Sequence, residues 1–160
     1  MQAAGIVAPA GQLVPASVPE SFSVFPVLPA SLDLGMWPLI EPLLAKAVAR
    51  ERGRFTTRHI YHWVKTGEQQ LWVVTQGGRC WAAGLVKVYR HPTGKRSATL
   101  HLLGGSRARE WAPDAWDAWS RACRLDGITE LRIVGRKGWA RITGRFGFKP
   151  EAVVLTREEI

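Results

Sequence analysis

Three strand-like runs follow one another in the middle of the chain, separated only by turn signals, and this meander limits the folds open to it. Leu71-Trp72-Val73-Val74-Thr75 and the run from Cys80 to Tyr89 are joined through Gly77-Gly78, a two-residue hairpin signal. Pro92-Thr93-Gly94-Lys95 makes the next turn, into a strand over Ser97–Leu103 that Gly104-Gly105 break. Runs joined this tightly pair antiparallel. On both sides the period changes. Leu39, Leu43, Leu44, Ala47 and Val48 recur at helical spacing from about Trp37 to Arg50, and Thr56 or Thr57 can cap a second helix that carries Ile60, Tyr61 and Val64 and stops at Gly67. Pro113 reads as the start of a third helix, with Ala115, Trp119 and Ala122 on one face and Asp126-Gly127 closing it. Ile128–Val134 then reads as a strand, Gly138–Phe146 as a short helix and Ala152–Thr156 as a last strand. A first strand falls at 22–28, where Pro26 confines it to an edge or a bulge. The expectation is an α+β domain: one central, mostly antiparallel sheet with about four flanking helices. Its single crossover helix implies one parallel pair, at a point where the sheet can splay.

At 160 residues the chain is one domain's worth. The first 36 residues carry only two charged side chains, Glu20 and Asp33, and five prolines. Proline fixes φ and removes donors, so residues 1–20 are expected as an extended, Pro/Ala-rich arm ahead of a domain over 21–160. Such an arm is either a solvated tail or is kept ordered by lying on a protein surface, which can belong to another chain. It has no basic start and no unbroken apolar run, so it does not read as a secretory signal. Nothing in the sequence reaches the roughly 18 apolar residues of a membrane helix. Cys80 and Cys123 lack CxxC spacing and read as reduced thiols. His59, His62, His91 and His101 form no metal set, so no metal is expected.

The net charge of +9 is uneven. Residues 86–149 hold fourteen Lys and Arg against five acids. Arg136, Lys137, Arg141 and Arg145 can line one side of a short helix, an expected contact for an anionic partner, either DNA or an acidic protein. No helix-turn-helix, zinc-finger or RNP pattern accompanies the charge. Of the eight tryptophans, Trp72, Trp81 and Trp119 are placed for the core. Trp37, Trp111 and Trp139 fall at element starts, where exposure would mark contact with a neighbouring chain.

The element order resembles the GNAT (Gcn5-related N-acetyltransferase) fold over roughly residues 22–160. Ile142-Thr143-Gly144-Arg145-Phe146-Gly147-Phe148-Lys149 is similar to that family's closing motif, Leu-Tyr-x-x-x-Gly-Phe-x. In the family a Gln/Arg-x-x-Gly-x-Gly/Ala loop ahead of a helix holds the acetyl-CoA pyrophosphate on backbone N–H groups. The matching stretch here is His101-Leu102-Leu103-Gly104-Gly105-Ser106-Arg107-Ala108. The resemblance assigns Gly104, Gly105, Ser106, Arg107 and Ala108 to that cofactor if CoA is bound. His101 and Ser106 depart from the motif, and Pro113 sets the helix start several residues beyond the loop. Thr143 stands where the family often has a tyrosine acid, and no carboxylate falls between Val86 and Leu103 to act as a base. A narrower resemblance, through Gly135-Arg136-Lys137-Gly138-Trp139-Ala140-Arg141 in a small basic chain, is to GNAT-like proteins encoded among the virion genes of tailed bacteriophages.

Catalytic residues stay unassigned at this level. The main functional expectation is a non-catalytic GNAT-fold component of a larger assembly, such as a phage virion. Residues 1–36 would dock on neighbouring subunits, in the virion or in the host cytoplasm, and no cofactor would be needed. The alternative is an acetyl-CoA-dependent N-acetyltransferase acting on an amine. A nonspecific nucleic-acid-binding module rests on charge alone.

Overall fold

The structure, a computed structural model, describes residues 21–159. Five strands form one sheet in the order β1 (Ser23–Pro26), β2 (Gln70–Gln76), β3 (Arg79–Arg90), β4 (Arg96–Gly105) and β5 (Glu130–Ile133). The pairs are antiparallel except β4 with β5, which is parallel and reached through the crossover helix α4 (Ala108–Leu125). Gly77 and Gly78 both take positive φ (58° and 72°), the conformation that lets two residues close the β2–β3 hairpin. The expected α+β sheet, with its parallel pair, is therefore what forms.

Two short stretches join β1 to the first long helix: α1 (Pro29–Ser31) and a turn over Leu32–Met36 that Gly35 kinks at φ 95°. Helices α2 (Trp37–Val48) and α3 (Thr57–Lys65) cover one face of the sheet. Ile40, Leu44, Ile60 and Val64 pack there on Leu71, Val73, Leu85 and Leu102. Thr56 caps α3, its N–H donating to His59 Nδ1 at 3.1 Å. Asp33 ties the kinked turn to α3 by accepting from the Tyr61 hydroxyl and the Lys65 ammonium. The opposite face carries α4, α5 (Gly138–Thr143) and a tight turn over Gly144–Phe146. Trp111 and Ala112 of α4 lie over Val74 and Ala82, and its Trp119 and Cys123 over Val86 and Ala98.

Four expectations change. Helix α4 begins at Ala108, five residues before Pro113, which lies inside it. Arg107 turns the chain into the helix through the left-handed conformation (φ 61°, ψ 31°). The early start buries Trp111 to 5% exposure, so this tryptophan is core and not an exposed element start. Ala152–Thr156 forms no strand: Val153, Val154 and Leu155 stay exposed, because strand propensity without a ladder to join yields no hydrogen bonds. Of the 1–36 arm, residues 23–36 are built into the domain, with Val27 and Leu32 in its core. The arm over 1–20 lies outside the described residues.

Candidate functional site

The region to which the resemblance assigned CoA is the junction of β4 and α4. Gly104 and Gly105 are the last residues of β4, and the chain's own backbone occupies the space beside them. A Cβ on Gly104 would come within 2.0 Å of the Leu43 carbonyl oxygen, where α2 crosses the strand. One on Gly105 (φ 140°) would stand 2.3 Å from the Trp81 carbonyl oxygen. These glycines admit α2 and β3. Ser106 donates its N–H to Trp81 O at 3.1 Å and accepts from Trp111 Nε1 at 2.6 Å, which uses both of its backbone groups. The Arg107 guanidinium lies over the Trp81 ring and is paired with the Glu110 carboxylate. That bond raises the Arg107 pKa and lowers that of Glu110. Glu110 thus brings a carboxylate to the first turn of α4, where the helix dipole favours an anion. Ala108 and Arg109 open the helix, and their amides have no intrahelical acceptor. Residues 104–108 stand at this junction, where the loop between β4 and α4 is two residues long; the Ser106 backbone is engaged internally, whereas the Ser106 hydroxyl and the N–H groups of Arg107, Ala108 and Arg109 have no partner among the described residues and are the donors a phosphate would meet.

The splay expected of the parallel pair is present. Pairing of β4 with β5 runs only from Ser97 with Glu130 to Leu100 with Ile133, and Val134 N–H closes it on Leu100 O at 2.9 Å. Beyond Leu100 no strand pairs with this side of β4 among the described residues. Beneath α4 lies a cavity of about 90 Å³. Small residues leave the gap: Ala82 and Gly84 on the sheet, Ala112 and Ala115 on the helix. Its lining is almost wholly apolar, yet it includes Trp119, whose Nε1–H is buried without a partner.

The splay coincides with a fault in β4. Opposite β3, Leu85 faces Leu102 while Val86 faces Leu100, so His101 is one residue in excess, a β-bulge. The bulge re-aims its side chain. His101 is half-buried, with Nε2 2.5 Å from Gln69 Oε1, which makes Nε2 the donor and leaves the Nδ1 lone pair available. Burial pushes the imidazole below its ordinary value of 6.5; Lys87 adds to this and Glu51 opposes it. At neutral pH it is a neutral base. Sequence reasoning had assigned His101 to the start of the phosphate loop; only the register of β4 against β3 reveals the bulge.

The other candidates fall away from this point. Thr143 is buried and donates its hydroxyl to Trp139 O at 2.9 Å. Tyr61 serves Asp33, and Tyr89 stands exposed on β3. Cys80 and Cys123 are free thiols whose pKa values burial raises, that of Cys123 to about 11, so neither is a thiolate at pH 7. No group of three His, Cys, Asp or Glu side chains is placed to hold a metal among the described residues, and none of their helices is long and apolar enough to cross a membrane. Arg136, Lys137, Arg141 and Arg145 are all exposed around α5, and Arg145 reaches to 3.5 Å from the Arg109 carbonyl at the start of α4. Trp37 and Trp139 are half-buried, as are Trp72 and Trp81, whereas Trp119 is core.

No protein-family model matches the chain, and no curated protein sequence matches it. Solved structures do. An aminoglycoside acetyltransferase from an uncultured soil metagenomic sample, in complex with sisomicin, superposes with a TM-score of 0.63 at 13% identity, covering 87% of this chain and 96% of that one. The chain has the GNAT acetyltransferase fold. Glucosamine-6-phosphate N-acetyltransferase from Arabidopsis thaliana agrees with a TM-score of 0.59 at 13% identity, over 87% of this chain and 99% of the other. A predicted acetyltransferase from Clostridium acetobutylicum with acetyl-CoA gives 0.59 at 14%, over 86% and 96%. Identities this low speak for the GNAT fold alone.

Proposed function

We propose that the chain is an N-acetyltransferase that moves an acetyl group from a thioester, acetyl-CoA in the first instance, to an amine. The observation that carries this reading is the bulge in β4, which sets a neutral imidazole at the splay of a GNAT sheet. An amine attacks a thioester only as the free base, so the reaction needs a proton acceptor beside it. His101 Nδ1 is that acceptor, and Gln69 holds the ring by taking the Nε2 proton in a hydrogen bond. The lowered pKa keeps His101 unprotonated at neutral pH. The likeness to acetyltransferase structures supports the reading at the level of fold.

The test is thiol release from acetyl-CoA with a panel of primary amines. Amine-dependent release is expected, and His101→Ala should lower kcat by about a hundredfold with KM for the amine little changed. Release that is unaltered in the variant would remove His101 from the chemistry. A second reading, a non-catalytic component of a larger assembly such as a phage virion, draws on the closed surroundings of Gly104 and Gly105. It makes residues 1–20 and the Arg136, Lys137, Arg141, Arg145 surface the docking regions. It predicts neither turnover nor donor binding.

A further inference from the structure

From Leu131 to Pro150 the chain carries no acidic side chain, against six Lys and Arg. Of these, Arg132 is paired with Glu130 and Glu151. Arg136, Lys137, Arg141, Arg145 and Lys149 are exposed and enter no ion pair among the described residues. Acids elsewhere on the surface are engaged by other cations: Asp33 by Lys65, Glu110 by Arg107 and Asp117 by Arg121. The fold then sorts this stretch into two sides. Trp139, Ile142 and Phe146 pack toward Val74, Ala82, Trp111 and Ala112, and Thr143 is buried. Lys137, Arg141 and Arg145 recur at every fourth residue along α5 and the turn after it, which sets them on the opposite, outward side. Arg145 is held in place there. Its guanidinium lies 4.8 Å from the Phe146 ring, and one N–H reaches the Arg109 carbonyl at 3.5 Å. Arg109, itself exposed and without an ion pair among the described residues, joins the same surface.

We propose that this surface binds the sugar-phosphate backbone of double-stranded DNA without reading its sequence. Binding of this kind is independent of acetyl transfer. A protein partner would need an apolar centre to the contact, and within 131–150 the one large apolar side chain left exposed is Val134. A single strand would need aromatic faces for its bases to stack on, and Trp139 and Phe146 are turned inward. A duplex backbone needs only cations at the right spacing. The eight residues from Lys137 to Arg145 extend about 12 Å at helical rise, and each strand of a duplex offers a phosphate about every 3.4 Å along its axis. Three or four phosphates therefore come within reach of this row. Its guanidinium groups can each donate two hydrogen bonds to one phosphate, which fixes position and carries no base readout.

Fluorescence anisotropy of the full-length protein with labelled duplexes of about 20 base pairs tests it. Affinity should fall at least about fiftyfold between roughly 50 and 200 mM salt, as release of counterions from about four phosphates requires, and should agree within about tenfold between two unrelated sequences. A smaller fall, or a stronger sequence preference, overturns the proposal. Arg136→Gln, Lys137→Gln, Arg141→Gln and Arg145→Gln combined should weaken binding at least about thirtyfold at roughly 100 mM salt and remove most of the salt dependence. The same change of charge at Lys46, Arg50, Arg58 and Arg90, exposed cations on other elements, should cost less than about fivefold. All eight side chains are exposed, so both variants should melt with the parent. Equal losses in the two would make net charge the cause and overturn the assignment to this surface. Extended polyglutamate carries one charge per about 3.4 Å against about 1.7 Å for the duplex, and at matched charge should bind at least about tenfold more weakly. Equal or tighter binding would make the partner an acidic protein. Displacement of the duplex by equimolar acetyl-CoA would assign these cations to a small phosphate ester, and either result overturns the proposal.

Discussion

Gly104 shows how a residue that fits a sequence motif can serve another purpose. Its Cα faces the Leu43 carbonyl across the contact of β4 with α2, and a methyl group there would overlap backbone atoms that cannot rotate away. Gly104→Ala should therefore cost about 3 kcal/mol or more in urea unfolding, whether or not any donor binds. A loss below about 1 kcal/mol would mean that the crossing is loose and that the glycine is free to serve a ligand. Five residues earlier, on the other side of the bulge, Thr99 is buried and its hydroxyl has no partner. Thr99→Val removes that orphan and keeps the shape, so stability should rise by about 1 kcal/mol. His101 carries a pH signature of its own. Because burial holds its folded pKa under 6.5, the native state resists protonation that the unfolded chain accepts. Its contribution to stability is present above pH 6.5 and is lost as pH falls from there through the folded pKa. The rate should follow the same sign, with an acid limb whose midpoint lies below 6.5 and which disappears in His101→Ala. A limb centred above 6.5 would assign it to another group.

At the scale of elements, what could be read from the chain follows from where each signal comes from. The meander was legible because its information is local: Gly77-Gly78 and Pro92-Thr93-Gly94-Lys95 fix turns, and alternation fixes the strands between them. Helix α4 was legible as a helix but not in its start. A proline suits a first turn, and Pro113 was given that place; here it is the sixth residue of the helix, so its missing N–H leaves the Arg109 carbonyl, toward which Arg145 points. Burial of Trp111 by the sheet decides that boundary, and burial is not local. The same holds for the candidate site. Motif spacing found residues 104–108, but whether a glycine faces a ligand or a crossing helix depends on α2, sixty residues earlier in the chain. The bulge at His101 exists only as a mismatch between two strands. A single strand cannot announce it.

In the whole molecule, order is distributed unevenly, and the distribution follows the burial. The face under α2 and α3 holds Ile40, Leu44, Ile60, Leu71, Val73 and Leu85 at full burial, so opening it exposes the largest apolar area in the fold. The face under α4 is interrupted by the cavity, and α5 beside it has only Thr143 buried. Beyond it the chain from Pro150 is held by ion pairs at the surface, Glu151 with Arg132 and Glu158 with Arg52, and pairs that exposed contribute at most about 1 kcal/mol each. Free energies of local opening should rank accordingly. Hydrogen exchange is expected to be slowest in β2, β3 and β4, faster in α5, and fastest after residue 150. Removing residues 150–160 should then lower global stability by no more than about 2 kcal/mol, since only these two pairs are lost and the exposed Val153, Val154 and Leu155 leave no cavity behind. A larger loss on truncation, or slow exchange in this segment, would show that these three side chains are covered in solution. No surface among the described residues meets them, so their cover would then come from outside residues 21–159.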